Sequence, residues 1–238
     1  MFQKDRGVLD MILLFDIGNT RMKVCLAENN AIRPIECWQQ YLHEAEEVLI
    51  SNVAGQDALP VEVAGHPKCR VLTWQSPEAA LWLKGIPAGL GSDRVAADMG
   101  ARSLCPDRTL LIIDAGTCLT FDVIASDGTI LGGAISPGVS LRLKAMHEHT
   151  AALPLLDIQG EHPVLGFDTP SAMRSGAING MRWEIEGYIR HILAEHPDLH
   201  VFFTGGDCTE FPADLQSIIT CDPFLVQKGL LAMTDLGL

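Results

Sequence analysis

Several familiar signatures are missing from this sequence. No run of 18 consecutive apolar residues occurs, so no segment reads as a helix that could span a bilayer, and no membrane partner is expected. The first ten residues carry Lys4, Asp5, Arg6 and Asp10 and lack the apolar centre of a secretory signal. With a second methionine at position 11, residues 1–10 read as an N-terminal extension, either from an upstream start or as a tail. No two of the seven cysteines lie two or three residues apart, which removes a zinc knuckle and a redox pair and favours reduced thiols in a cytoplasmic protein. The eight histidines are scattered; His147 and His149 would point to different faces of a helix, which disfavours metal ligation by them. Neither a Walker A sequence nor the protein-kinase signature set is present. Basic residues are few: 17 Lys and Arg against 30 Asp and Glu leave a net charge of −13. That balance argues against nucleic acid as a partner, because such binding begins with neutralising phosphates. A single nucleotide needs only a local site and stays open.

What is present is a core-forming chain. Its 238 residues are 47% apolar, enough for one large domain or two closely coupled ones. Met11–Asp16 is an apolar run ending in an acid, followed by a Gly-Asn-Thr tip and the alternating run Arg21–Ala27, which predicts a hairpin. Leu42–Leu49 is expected to be helical and to lead into a strand over Glu47–Val53; Ser76–Lys84 reads as a helix capped by Ser76, with Pro77 at its first position. A Gly/Pro-rich loop over Gly85–Gly91 precedes a helix opening at Ser92-Asp93-Arg94. The pattern then restarts. Thr109–Asp114 is apolar and ends in an acid, Ala-Gly-Thr follows, and Leu119–Ala125 alternates. A third strand over Thr129–Ile135, a long helix from Thr169, a strand over His200–Phe203 and a helix over Gln227–Thr234 complete the second half. This repetition predicts a duplicated α/β unit, split near residue 107 into halves 11–107 and 108–238 that face each other across a cleft. A simple Rossmann fold is disfavoured, since both glycine turns join strand to strand.

The two turns carry the chemistry. Glycine lets the backbone approach a ligand and aim N–H groups at it, which suits phosphate. A carboxylate just ahead of such a turn would repel phosphate unless a hard divalent cation, still carrying waters, sat between them. Asp16 therefore reads as a Mg²⁺ ligand through water, and the two turns as holders of a triphosphate. Each turn taken alone could equally be an ordinary hairpin. Lys23, leaving the first turn, is either a solvated strand lysine or an ammonium reaching a β- or γ-phosphate. Asp93 is either a general base or an acid favoured by a helix start. Arg94 beside it could pair with a carboxylate or with a surface neighbour.

In order along the chain, DIGNTRMK (16–23), GSDR (91–94), DAGTCLT (114–120), GGAISPG (132–138), DTPSAMRSGAINGM (168–181) and TGG (204–206) resemble the type III pantothenate kinases. These belong to the acetate kinase, sugar kinase, Hsp70 and actin superfamily. The resemblance runs from about Met11 to the end of the chain. It implies two ribonuclease H-like, actin-like ATPase domains with mixed sheets and an interdomain cleft. It also implies phosphorylation of pantothenate by ATP, the first step of coenzyme A biosynthesis. By position, Asp16, Ile17, Gly18, Asn19, Thr20, Arg21, Met22 and Lys23 would form the first ATP-binding loop. Thr117, Gly205 and Gly206 would add ATP contacts. Asp93 would be the general base, Gly91, Ser92, Asp93 and Arg94 the pantothenate-binding segment, and Thr169 a pantothenate contact near a homodimer interface. Asp114 would hold a monovalent cation, K⁺ or NH₄⁺. The sequence departs from the family pattern at Cys118, where Ala is commoner, at Lys84, where the family has a pocket Tyr, and at Ala97, where Asn is common. The rivals are another small-molecule kinase of the superfamily and a non-catalytic regulatory relative; the three acids Asp16, Asp93 and Asp114 favour catalysis.

Overall fold

A computed structural model of the chain describes residues 11–29, 31–206 and 211–234. The proposed extension over residues 1–10 and Cys208 lie outside them. Two units emerge from the internal contacts: residues 11–106, 128–130 and 224–234 form one, and 107–127 with 131–223 the other.

In the first unit the apolar run becomes strand β1 (Ile12–Ile17) and the alternating run β2 (Met22–Glu28), antiparallel, with Asp16 opposite Lys23. β3 (Ala31–Pro34), helix α1 (Gln39–Leu42), β4 (Glu47–Asn52), α2 (Val61–Ala64), β5 (Cys69–Val71), α3 (Pro77–Trp82) and α4 (Ser92–Leu104) follow. The sheet order is β3-β2-β1-β4-β5, with β4 parallel to β1 and Ser51 opposite Asp16. Leu13, Leu14 and Phe15 of β1 and Val48, Leu49 and Ile50 of β4 are fully buried, because central strands are covered on both faces. One of those faces packs Leu13, Phe15, Val48 and Ile50 against Trp38, Leu42 and Val63.

The second unit repeats the scheme with β6 (Leu110–Ala115), β7 (Cys118–Ile124), β8 (Ile130–Pro137), helices α5 (Val139–Glu148) and α6 (Thr169–Glu195), β9 (His200–Gly205), α7 (Ala213–Gln216) and β10 (Ile219–Cys221). Its order, β8-β7-β6-β9-β10, is that of the first sheet. A capping box starts α6, where the Ser171 N–H donates to Asp168 Oδ1 at 2.8 Å and the Asp168 N–H donates to Ser171 Oγ at 3.2 Å. Met181, Ile185 and Ile189, spaced four apart on α6, pack against Leu111, Ile113, Phe121, Val201 and Phe203.

The closing helix α8 (Leu225–Leu231) belongs to the first unit, where it lies on α4. Glycine makes this approach possible. A Cβ on Gly100 would sit 2.3 Å from the Leu225 carbonyl oxygen, and one on Gly229 would sit 1.7 Å from that of Ala96.

Some local expectations need correcting. Instead of a helix over 42–49, α1 ends at Leu42 and the chain is extended from Glu47. The buried run Val48–Ile50, covered on both faces as a central strand is, sets the extended conformation, and residues 43–46 serve as its lead-in. Ser76 precedes α3, but its hydroxyl accepts the Thr73 N–H at 2.9 Å and does not cap the helix. Cys25, Cys37, Cys69, Cys105 and Cys118 are free thiols, whereas Cys221 is disulfide-bonded, so the reading of reduced cysteines does not hold there. Among the described residues, no helix is long and apolar enough to cross a membrane.

Candidate functional site

In the first unit the candidate residues converge at the carboxyl ends of β1 and β4. Asp16 is the last but one residue of β1. Beyond it the turn closes through the Gly18 N–H, which donates to the Arg21 carbonyl at 3.0 Å. Ile17 is buried and its carbonyl accepts the Val53 N–H at 3.0 Å, so the turn is anchored to the end of β4. Asn19, Thr20, Arg21 and Met22 are exposed, leaving the tip open to a ligand.

GSDR opens α4 beside this turn. The Ser92 hydroxyl lies 3.0 Å from the Ser51 hydroxyl and accepts the Asn52 N–H at 2.9 Å. Ser51 and Ser92 are both buried. This latch joins the strand end next to Asp16 to the helix start bearing Asp93. A Cβ on Gly91 would meet Asp93 Oδ1 at 2.6 Å and Val53 at 3.5 Å, so the segment lies tight on its shelf. Asp93 Oδ1 accepts the Arg94 N–H at 2.8 Å, one of the donors a helix start leaves free.

The electrostatics follow from this arrangement. Burial pushes the Asp16 carboxyl up from 3.8 to about 6, and the Asp93 charge pushes the same way, against Lys23 and Arg21. Two nearby acids, one of them poorly solvated, make a place where a hydrated divalent cation would relieve repulsion. Among the described residues no three His, Cys, Asp or Glu cluster into a metal cage. Mg²⁺ keeps its waters and is commonly bound by one or two carboxylates with substrate phosphates. Asp16, with Asp93 nearby, is the group that fits it.

In the second unit Asp114 occupies the register position of Asp16, with Thr204 opposite on β9 as Ser51 is opposite Asp16. Gly205 has φ +95°, and a Cβ there would fall 2.2 Å from Asp114 Oδ1 and 2.7 Å from the Ala115 nitrogen. Gly206 approaches the Ala115 carbonyl in the same way, so the TGG segment closes directly on the acid. Gly138, from GGAISPG, lies against the turn, its N–H donating to the Thr117 carbonyl at 3.0 Å. Asp114 Oδ1 lies close to Gly116 and Gly205, while the Gly116 and Thr117 carbonyls face Gly138, so the carboxylate is the oxygen donor this turn could offer a hard cation. Thr117 is exposed, and so is Thr169 at the first position of α6.

Sequence reasoning missed Ser51 and Asn52. Their signal was the repeat itself: Ser51 stands to Asp16 as Thr204 stands to Asp114. It also missed Phe224, whose ring lies under the Lys23 ammonium, 4.8 Å from the centroid.

The chain matches the family model for type III pantothenate kinase over residues 12–191. A type III pantothenate kinase of Bacteroides fragilis is 37% identical to it over 232 residues, covering 92% of this chain and 96% of that protein. Among solved structures, a Baf family protein of Campylobacter jejuni aligns with a TM-score of 0.61 at 22% identity, across 94% of this chain and 97% of that one. A candidate 2-dehydro-3-deoxygalactonokinase of Sinorhizobium meliloti aligns with a TM-score of 0.51 at 14% identity, across 95% and 100%. At these identities the two structures speak for the fold alone. That fold is the duplicated ribonuclease H-like arrangement of actin-like ATPases and sugar kinases, built on two five-stranded mixed sheets.

Proposed function

Because this chain belongs to the type III pantothenate kinase family, we propose that it transfers the γ-phosphoryl group of ATP to the primary hydroxyl of pantothenate. The products are 4'-phosphopantothenate and ADP, in the first committed chemistry of coenzyme A biosynthesis. The observation that carries the reading is the Ser51–Ser92 latch, which sets the acid-bearing turn and the acid-bearing helix start side by side.

In this reading the pantothenate hydroxyl oxygen attacks the γ-phosphorus while the bond to the β-phosphate oxygen breaks. Asp93 accepts the hydroxyl proton as the new P–O bond forms. The transition state is loose, so positioning and charge neutralisation carry most of the catalysis. Turn residues 16–22 hold phosphate oxygens through backbone N–H groups, and Lys23 adds its ammonium. Arg94 pairs with the pantothenate carboxylate, within the segment Gly91–Arg94, and Thr169 adds a hydroxyl contact. Thr117, Gly205 and Gly206 contact the nucleotide. When bound beside Asp16, Mg²⁺ neutralises charge on the β- and γ-phosphates. Asp114 holds K⁺ or NH₄⁺. The enzyme works in the cytoplasm as a homodimer, the dimer being supported by Trp183, 53% exposed on α6, and by Ala172 and Gly176 at the surface of the same helix.

A coupled ADP-release assay with pantothenate, acetate and glucose tests the proposal. Pantothenate-dependent ADP formation is expected; turnover of acetate or glucose in its place would overturn it. Asp93→Asn should lower kcat by about 10²- to 10⁴-fold with ATP binding retained. Full activity in that variant refutes the base assignment. Replacing K⁺ with Na⁺ should abolish most turnover, and undiminished rates would remove Asp114 from its role.

A further inference from the structure

Lys23 lies on β2 directly opposite Asp16, and its charge is one of those that oppose the upward shift of that acid. A lysine there has four rotatable bonds and loses rotamer freedom when it is held in one place. The Phe224 ring lies beneath its ammonium, 4.8 Å from nitrogen to centroid. At that distance the negative face of the ring attracts the cation. Phe224 is half-buried and immediately precedes α8.

Phe224 is itself held in place. The backbone of α8 is seated on α4 by the paired glycines Gly100 and Gly229, which let each helix approach the carbonyls of the other. The first turn of α4 carries Asp93. A continuous chain of packing thus runs from the helix bearing the base, through α8, to the ring under the lysine.

We propose that Phe224 is a positioning residue that holds the Lys23 ammonium for phosphate contact and indexes it to the helix bearing Asp93. The inference rests on the reading of Lys23 as an ATP ligand. The ring face, and not its bulk, does the holding. Removing the face while keeping an apolar side chain frees the lysine and weakens nucleotide capture, with little effect on pantothenate.

The test is steady-state kinetics on the full chain. Phe224→Leu should raise the KM for ATP by about 3- to 10-fold, and Phe224→Trp should restore it towards the wild-type value. The KM for pantothenate should change by less than about 2-fold, since only the lysine is released. In a Lys23→Met background, Phe224→Leu should add nothing further to the ATP KM. Equal losses in the Leu and Trp variants, or effects that multiply in the Lys23→Met background, would overturn the proposal. A Lys23→Met variant with unchanged ATP KM overturns the lysine assignment, and Phe224 falls with it. A damaging Lys23→Met beside a silent Phe224→Leu overturns the Phe224 role alone. Incorporating 4-fluoro-, 3,5-difluoro- and pentafluorophenylalanine at position 224 keeps ring size while draining the ring face. The ATP KM should climb stepwise along that series, and a flat series refutes the cation–π role even if Phe224→Leu fails to fold.

Discussion

Asp16→Asn should make the ligand-free protein more stable above neutral pH while stripping it of activity. Burial, reinforced by the Asp93 charge, raises the Asp16 carboxyl from 3.8 to about 6. The folded state therefore binds the Asp16 proton more tightly than the unfolded chain does. Stability from this group is fully present below pH 3.8 and is lost as pH rises towards and through 6. Each pKa unit corresponds to about 1.4 kcal/mol, so the whole loss is about 3 kcal/mol. Between pH 4.5 and pH 8 about 2 kcal/mol of it falls, because the unfolded carboxyl is already mostly ionised at the lower value. An asparagine has the same shape and no titration, so its stability lacks this slope. Urea unfolding of both proteins at pH 4.5 and 8, without Mg²⁺ or nucleotide, isolates the effect as a difference of differences. The Asn variant should gain about 2 kcal/mol on the wild type across that interval. A double difference within about 0.5 kcal/mol of zero would refute the claim that the site holds its acid against burial. Asp93→Asn removes the second cause and should make the wild-type slope shallower. The functional counterpart is an acid limb: kcat/KM for ATP should rise with pH through about 6, as Asp16 ionises to receive its cation.

Gly229→Ala places a methyl group 1.7 Å from the Ala96 carbonyl oxygen. Both partners are buried helix backbone with little room to yield, so the cost should reach or exceed about 3 kcal/mol, a fall in Tm of about 6–12 °C by calorimetry. An unchanged Tm would mean that α8 is not seated on α4 by that glycine. Gly205→Ala combines a φ of +95° with a Cβ 2.2 Å from Asp114 Oδ1, and should raise the K⁺ concentration needed for half-maximal activity. If the K⁺ requirement is unaffected, Asp114 is not the cation's ligand.

The parts of the fold and site that the sequence made legible are those whose causes are local. The run Met11–Asp16 and the alternating Arg21–Ala27 produced β1 and β2, because apolar period and turn chemistry act over a few residues. The acid-glycine turns and the GSDR helix start were visible for the same reason. β5 and β10, three residues each, carry too little pattern to announce themselves. The Ser51–Ser92 hydroxyl pair joins positions 41 residues apart, and no window in the sequence contains both. The return of α8 to the first unit depends on Gly100 and Gly229, whose role exists only once two helices meet.

The duplication itself says most once register is known. Both halves place an acid at the same point of the same sheet, but the partners differ. Opposite Asp16 stands Lys23, while opposite Asp114 stands Thr120. In the first unit the acid keeps a cation across the strand and is further raised by a second carboxylate, which is consistent with the proposed phosphate and divalent-ion role of that turn. In the second the residue across the ladder is Thr120, and glycine backbone closes on the acid. If Asp114 holds K⁺ as proposed, Thr120→Lys, opposite it on β7, would supply the charge covalently and should lower the K⁺ requirement, whereas Lys23→Thr should weaken ATP binding without altering that requirement.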